Sequence, residues 1–261
     1  HYNRGECRGA PVRLSNSANA ALYKWRAAAA DRARAAVAFA LPQRCALCAC
    51  AAGDACLCGA CLDAIATRTP ACPRCALPSP GGEACGRCLV HPPAWDAAVA
   101  AGFYAFPLDR LVQRLKYGGD LPLASALGGL LADAVLAAGT TSRVDAIVPM
   151  PLAAARQRER GYNQAREIAR AVARATRLPL RSGLERSRHA VPQATLPWRE
   201  RVRNVRGAFA TSGALAVARV ALVDDVMTSG APAAAAAAAL RRGGASRVEV
   251  WVVARTLPAR G

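Results

Sequence analysis

Two adjacent carboxylates, Asp224 and Asp225, lie between an apolar run and a turn of small residues in the stretch VALVDDVMTSGA. The apolar run predicts a buried strand, and the alanines at 233–239 predict a helix, so the acids would lie at the carboxyl end of a strand, where parallel sheets bind ligands. Small residues in the turn let backbone N–H groups approach an anion at the positive start of that helix. The pattern therefore predicts a ribose 5-phosphate site, in which the acids accept hydrogen bonds from sugar hydroxyls or face a divalent cation.

Two other interpretations of the acid pair carry less weight. Adjacent acids after an apolar strand also occur in Walker B elements, but the accompanying G-x-x-x-x-G-K-[ST] loop does not occur in this sequence. A solvated strand end or a helix cap would be the preferred explanation if the turn were different. The Thr-Ser-Gly at 228–230 favours a ligand site instead.

A second set of residues able to do chemistry is a run of cysteines. Ten of the eleven cysteines lie between residues 45 and 88. Eight of them form C-x-x-C pairs, which are Cys45/Cys48, Cys58/Cys61, Cys72/Cys75 and Cys85/Cys88. Two thiolates at this spacing can bind one tetrahedral metal, and two pairs complete a four-cysteine site. Four pairs predict two closed, structural zinc sites, which supply folding energy to a segment poor in large apolar residues.

The spacing leaves open how the four pairs combine. Sequential pairing would join neighbours in the chain, whereas a cross-brace would interleave them. Cys50 and Cys56 could compete as ligands, and the distant Cys7 is expected to be a spare thiol. A disulfide framework would need an oxidising compartment, and the N-terminal segment has no clear apolar core of a secretory signal. An iron–sulfur cluster is disfavoured because its usual spacings differ.

Composition narrows the class of protein. The chain has 261 residues and a net charge of +18 that is almost all arginine. This charge favours anionic partners such as nucleic acid or phosphorylated metabolites, although many arginines with few lysines are also typical of a GC-rich genome. No run of 18 uncharged apolar residues occurs, so we expect no membrane span and a cytoplasmic protein.

Element patterns divide the chain into three parts. Residues 1–40 predict an extension that is partly helical or disordered, residues 41–92 a double zinc ribbon, and residues 93–261 a separate domain that begins near the HPPAW motif. In that domain strands alternate with amphipathic helices, which indicates an α/β fold with a parallel sheet and helices on both faces.

The motifs together resemble those of the ComF (competence protein F) family, and VALVDDVMTSG resembles the phosphoribosyl-pyrophosphate (PRPP) motif of type I phosphoribosyltransferases. The other carriers are the four cysteine pairs, LKYGG (115–119), VPMPL with RQRERGYNQA (148–165) and VPQATLPWRERVRNVRGAF (191–209). The resemblance spans roughly residues 42–257. It implies a double zinc ribbon joined to a type I phosphoribosyltransferase-like domain.

The resemblance also implies roles for single residues. Asp224 and Asp225 would be the catalytic pair that meets the ribose 2′- and 3′-hydroxyls. The loop wrapping the 5-phosphate would be Met227, Thr228, Ser229, Gly230 and Ala231. The pyrophosphate region would be Pro149, Met150 and Pro151, bordered by Arg160, Tyr162, Asn163 and Gln164, and the flexible hood would contain Gln193, Arg201 and Asn204. The family usually has a threonine where this chain has Pro232, which lacks an N–H donor and a hydroxyl.

Two functions follow from the resemblance. In the first, the protein binds PRPP with Mg²⁺ and transfers the ribosyl phosphate to an unknown acceptor, linked to DNA uptake in natural transformation. In the second, it is a non-catalytic module that binds single-stranded DNA, works with the competence helicase machinery and retains only the phosphate loop.

Overall fold

A computed structural model describes residues 44–52, 56–65, 69–186, 208–213 and 217–258 of the chain. The predicted extension at 1–40 and the predicted hood residues Gln193, Arg201 and Asn204 lie outside these ranges. Cys7 also lies outside them.

A four-stranded parallel sheet forms the centre of the larger domain. Its strands, in order across the sheet, are β1 (Ala97–Phe103), β6 (Arg247–Arg255), β5 (Arg219–Met227) and β2 (Ala146–Pro149). Along β5 the side chains alternate between two buried clusters, with Val220 and Leu222 in one and Ala221 and Val223 in the other. Burial on both faces explains the continuous apolar sequence of this strand. The α/β class and the parallel sheet predicted from the sequence are confirmed.

Helices cover both faces of the sheet. The helices of the described residues are α1 (Gly59–Ile65), α2 (Gly86–Val90), α3 (Leu108–Tyr117), α4 (Pro122–Ala137), α5 (Ala154–Arg160), α6 (Gln164–Thr176) and α7 (Ala231–Arg242), with a 3₁₀ turn at Thr141–Arg143. Helices α3, α4 and α6 share one buried cluster with the sheet, and α7 lies in the other. A short antiparallel pair, β3 (Leu184–Arg186) and β4 (Phe209–Thr211), contacts α7.

Close packing of α4 on α6 depends on one glycine. A Cβ at Gly128 would lie 2.4 Å from the Ala171 Cβ and 2.9 Å from the Ile168 carbonyl oxygen. At the neighbouring Gly129 a Cβ would meet nothing within 4 Å. The pair of helices therefore approaches at Gly128 more closely than any larger residue permits.

The first cysteine segment packs on the α3 side of the sheet. Cys45, Leu57 and Ile65 are buried in the cluster that contains α3 and α4. The Arg114 guanidinium donates a hydrogen bond of 2.6 Å to the Ala46 carbonyl. This segment is therefore fastened to the larger domain by apolar contact and by one arginine.

The second cysteine segment packs on the opposite side. Ala76 and Trp95 are buried in the cluster that contains α7. The Ala98 amide of β1 donates a 2.8 Å hydrogen bond to the Pro73 carbonyl. Each cysteine segment thus contacts a different part of the sheet domain.

Among the described residues, no helix is both long enough and apolar enough to cross a bilayer.

Candidate functional site

Eight cysteines form two clusters in the described part of the chain, and the pairing is sequential. The first contains Cys45, Cys48, Cys58 and Cys61, and the second contains Cys72, Cys75, Cys85 and Cys88, with all four sulfurs of a cluster within 4.8 Å of one another. The sulfurs of Cys48 and Cys58 lie 3.6 Å apart, and those of Cys75 and Cys85 lie 3.7 Å apart. A tetrahedral Zn–S₄ centre requires sulfurs about 3.8 Å apart. Both clusters therefore fit zinc, while Cys50 and Cys56 stay outside them.

Some thiols in each cluster have a shifted pKa. Burial raises the pKa of Cys45, but backbone N–H groups of its knuckles outweigh this effect and lower the pKa to about 6. In the second cluster burial likewise raises the pKa of Cys72, but hydrogen bonds from backbone N–H groups outweigh it and lower the pKa to about 7. Hydrogen bonds with neighbouring thiols raise the pKa of Cys61, and burial raises that of Cys88. Four adjacent sulfurs cannot all ionise without a cation, so these clusters have the chemistry of metal ligands.

The acid pair lies near the carboxyl end of β5, beside the end of β2. Pro149 pairs with Val223, the residue before Asp224, and the Met150 amide donates to the Val223 carbonyl at 2.8 Å. The predicted pyrophosphate region and the acid pair are therefore adjacent at one edge of the sheet. Parallel pairing of β2 with β5 positions both, as expected for a ligand site of an α/β fold.

The two carboxylates have different environments. Burial raises the pKa of Asp224 to about 8, and the neighbouring Asp225 adds to the effect. Asp225 is 8% exposed and forms an ion pair with Lys116, whose Nζ lies 3.1 Å from its Oδ1. The Asp224 Oδ1 accepts a 2.9 Å hydrogen bond from the Asp225 amide. The pair can therefore hold one proton and one charge in neighbouring positions near neutral pH.

The loop after β5 has the features of an anion cradle. Met227 is buried, whereas Thr228 and Ser229 are exposed. Among the described residues, no group accepts a hydrogen bond from the amides of residues 228–230. The Ala231 amide donates a 3.3 Å hydrogen bond to the Ser229 hydroxyl. Gly230 has φ of +80°, and α7 begins at the next residue, so unpartnered amides and a helix start lie together.

Pro232 occupies the second position of α7 and is exposed. Proline is compatible with a first helical turn. It offers no amide, so the cradle has one donor fewer than a threonine at this position would give.

The remaining predicted residues border the end of β2. The Asn163 side chain donates a 3.0 Å hydrogen bond to the Met150 carbonyl and caps α6 by accepting from the Arg166 amide at 3.3 Å. Asn163 also lines a cavity of about 150 Å³ together with Pro149 and Pro151. Asn163 therefore fixes the predicted pyrophosphate loop to the start of α6.

Three other predicted residues make packing contacts. The Tyr162 hydroxyl donates to the Leu115 carbonyl. The Arg160 guanidinium lies 4.9 Å from the centre of the Tyr117 ring. Gln164 is 2% exposed, and its Nε2, like the Arg160 Nε, has no partner among the described residues.

Sequence reasoning missed the roles of three residues at this site. Lys116 had no assigned role, yet it pairs with Asp225. Arg255 is 5% exposed and donates hydrogen bonds to the carbonyls of Met227 and Thr228. Trp95 lies against Gly230, where a Cβ would be 2.8 Å from its ring. An arginine directly after the apolar run 250–254 of β6 was the one signal available for Arg255.

Comparisons with known proteins identify the N-terminal segment and the family. Residues 36–89 match the model of the double zinc ribbon domain, which covers both cysteine clusters. The chain is 36% identical over 206 residues to DNA utilization protein YhgH of Escherichia coli K12, an overlap that covers 77% of this chain and 91% of that protein. It is also 36% identical over 178 residues to competence protein F of Haemophilus influenzae, covering 66% of this chain and 78% of that protein. The chain belongs to the competence protein F family. The clusters of this family member are accordingly the metal sites of a double zinc ribbon, and structural zinc is their metal.

Solved structures overlap with this competence protein F family member only in part. The glutamine PRPP amidotransferase of B. subtilis is 22% identical, with a TM-score of 0.34, and the overlap covers 49% of this chain and 25% of that enzyme. The purine phosphoribosyltransferase of Pyrococcus horikoshii is 16% identical, with a TM-score of 0.31, and the overlap covers 60% of this chain and 77% of that enzyme.

Proposed function

We propose that this chain binds PRPP or a related ribose 5-phosphate ligand, together with Mg²⁺, at the loop 227–231. The observation that carries the proposal is the set of amides at 228–230, which have no partner among the described residues and lie at the start of α7. A phosphate group there would accept hydrogen bonds from these amides and would be favoured by the helix dipole.

The acid pair would hold the sugar. With the 5-phosphate on the loop, the ribose hydroxyls would lie toward Asp224 and Asp225. Asp225 carries the charge, because Lys116 pairs with it, and Asp224 is the carboxyl with the raised pKa. Asp225 would accept hydrogen bonds from the ribose as a carboxylate, and Asp224 could both donate and accept them when protonated.

Transfer of the ribosyl phosphate would require little covalent chemistry from the protein. When bound, Mg²⁺ would neutralise charge on the departing pyrophosphate. Pyrophosphate would lie beside Pro149, Met150 and Pro151, which border the acid pair through the pairing of β2 with β5. The acceptor that would receive the ribosyl phosphate is a separate question from ligand binding.

Calorimetric titration of the zinc-loaded protein with PRPP and Mg²⁺ tests the proposal. We expect saturable heat for the native protein and at least tenfold weaker binding for Asp225→Asn, since the charged acceptor is lost. Asp145→Asn is the matched control, because Asp145 directly precedes β2, at the amino end of the parallel strands and away from the loop 227–231, and it accepts hydrogen bonds from Arg219. Absence of heat from the native protein, or equal loss of affinity in both variants, would refute the proposal.

A second function, binding of single-stranded DNA during DNA uptake, is favoured by α5. None of the seven residues of this helix is fully buried, and Arg156 and Arg158 are exposed. An exposed basic helix is suited to contacts with phosphates of a nucleic acid. The names of the relatives, DNA utilization protein and competence protein F, agree with this role. The competence helicase machinery, which the family resemblance implies, would be the accompanying partner.

Salt dependence of single-stranded DNA binding, followed by fluorescence anisotropy, tests this function. If both arginines contact phosphates, the double variant Arg156→Ala with Arg158→Ala will reduce the slope of log K against log salt by about 1.4. The control is Arg143→Ala with Arg174→Ala, which removes the same charge from exposed positions in the 3₁₀ turn before β2 and in the last turn of α6. If the two double variants have equal slopes of log K against log salt, α5 does not contact the DNA.

A further inference from the structure

The first knuckle of the second zinc ribbon, residues 72–75, is bonded to the sheet domain through three consecutive carbonyls. Pro73 accepts from the Ala98 amide at 2.8 Å, Arg74 from the Trp95 Nε1 at 2.6 Å, and Cys75 from the Arg255 Nε at 2.9 Å. Zinc bound by Cys72 and Cys75 would fix the direction of these carbonyls, since both ends of the knuckle are metal ligands.

Two of those three donors also contact the loop 227–231. Arg255 donates from Nη1 to the carbonyls of Met227, at 2.8 Å, and of Thr228. Trp95 is 6% exposed, and its ring lies where a Cβ on Gly230 would come within 2.8 Å. Both side chains thus contact the knuckle on one side and the loop on the other.

The contacts made by Arg255 orient the loop for anion binding. Because its guanidinium binds the carbonyls of Met227 and Thr228, these oxygens are turned toward the arginine. In a chain the amide of each following residue points roughly opposite to the preceding carbonyl. The amides of Thr228 and Ser229 are therefore directed away from Arg255 and remain available to a ligand.

The first zinc ribbon has a comparable arginine but no comparable contact with the loop. Arg114 donates to the Ala46 carbonyl in the first knuckle at 2.6 Å and pairs with Asp120 at 2.6 Å. None of these groups belongs to the loop 227–231. The two ribbons are therefore attached by similar arginine contacts, of which only the second touches the proposed phosphate site.

We propose that the second zinc ribbon positions the phosphate loop, with Arg255 and Trp95 as the positioning residues that connect them. This inference rests on the proposed ligand site. It adds that the second zinc ribbon holds the loop 227–231 in the conformation that binds phosphate. Loss of metal from the second cluster would loosen the loop, and loss from the first would do so much less.

Hydrogen exchange of the ligand-free, zinc-loaded protein tests the connection independently of any ligand. The amides to follow are those of Thr256 and Ala234, which donate to the carbonyls of Met227 and Gly230 at 3.0 Å and 2.8 Å. Arg255→Met is expected to raise exchange at both amides at least tenfold and to keep two zinc ions per chain. The matched control Arg114→Met should leave both amides protected.

Titration with PRPP and Mg²⁺ supplies the second readout. Arg255→Met should weaken binding at least tenfold, whereas Arg114→Met should bind as the native protein does. If the native protein gives no heat, the proposed function fails, while the exchange measurement still decides the present inference. Unchanged exchange at Thr256 and Ala234 in Arg255→Met would overturn it.

Two further variants cover the case in which Arg255→Met does not fold. Trp95→Phe removes the hydrogen bond to Arg74 and the outer indole ring that reaches Gly230, and it should raise exchange at Ala234 about threefold or more. Cys88→Ser and Cys61→Ser each remove the fourth ligand of one cluster. Exchange at Thr256 should rise by a larger factor in Cys88→Ser than in Cys61→Ser. A rise in Cys88→Ser that is equal to or smaller than the rise in Cys61→Ser would contradict the inference.

Discussion

Replacement of Asp224 by asparagine should stabilise the protein and impair the site at the same time. Burial raises the pKa of this carboxyl from 3.8 to about 8, so the folded chain holds a proton that the unfolded chain releases. Unfolded protein thus binds fewer protons between about pH 4 and pH 8, and the free energy of unfolding must fall as pH rises through this range. Asparagine keeps the Oδ1 acceptor for the Asp225 amide but cannot ionise.

The size of the effect follows from the pKa. Each pH unit between the ordinary pKa and the raised pKa adds about 1.4 kcal/mol, so the cost of burying this carboxyl at pH 8 is at most about 5 kcal/mol. Relaxation of the protein and entry of water around the carboxyl will reduce this cost. We therefore expect Asp224→Asn to be more stable than the native protein by about 1–3 kcal/mol at pH 8. At pH 4, where the native carboxyl is protonated when folded, the gain should nearly vanish.

Urea denaturation of zinc-loaded protein at pH 5 and pH 8, with PRPP titration in parallel, is the assay. Asp145→Asn is the control with the opposite sign, because a hydrogen bond from Arg219 lowers the pKa of Asp145 and its charge is favourable at pH 8. Asp224→Asn should be more stable than native at pH 8 and bind PRPP more weakly. A variant that is less stable than native at pH 8, or whose stability relative to native does not change with pH, would refute the reasoning.

Three other predictions concern packing, the ion pair and the metal. Gly128→Ala should destabilise the fold by about 2–4 kcal/mol, because its Cβ would strike Ala171, whereas Gly129→Ala should be neutral or stabilising by up to about 1 kcal/mol in the same urea denaturation. Lys116→Met should cost about 1–3 kcal/mol at pH 7 by leaving Asp225 unpaired, and much of this cost should disappear in Asp225→Asn, which a double-mutant cycle measures. Chelation should release two zinc ions per chain and unfold the ribbons, whereas retention of ribbon structure without metal, followed by circular dichroism, would contradict the assignment.

Much of the sheet domain could be predicted because its signals are local. The apolar run before Asp224 marks β5, and the alanines at 233–239 lie within α7 (Ala231–Arg242). Gly139 lies just after α4 with φ of +62°, a conformation that favours glycine and is common where helices end. Helix α5 was missed because a short polar helix rich in arginine has no apolar periodicity to reveal it.

Contacts between distant parts of the chain could not be predicted. The Arg255 hydrogen bond to Cys75 joins residues 180 positions apart, and no spacing rule anticipates it. For the same reason the sequence left the cysteine pairing open, and the sequential arrangement emerged only from the sulfur positions. Lys116 was visible in the LKY motif, but its partner depends on how α3 packs against β5.

A crystal structure of the zinc-loaded protein with PRPP and Mg²⁺ is the most direct test of the proposed ligand site. The account predicts 5-phosphate oxygens within about 3 Å of the amides of residues 228–230 and ribose hydroxyls bonded to Asp224 and Asp225. A ligand held elsewhere, or a loop whose amides face away from the bound phosphate, would contradict it.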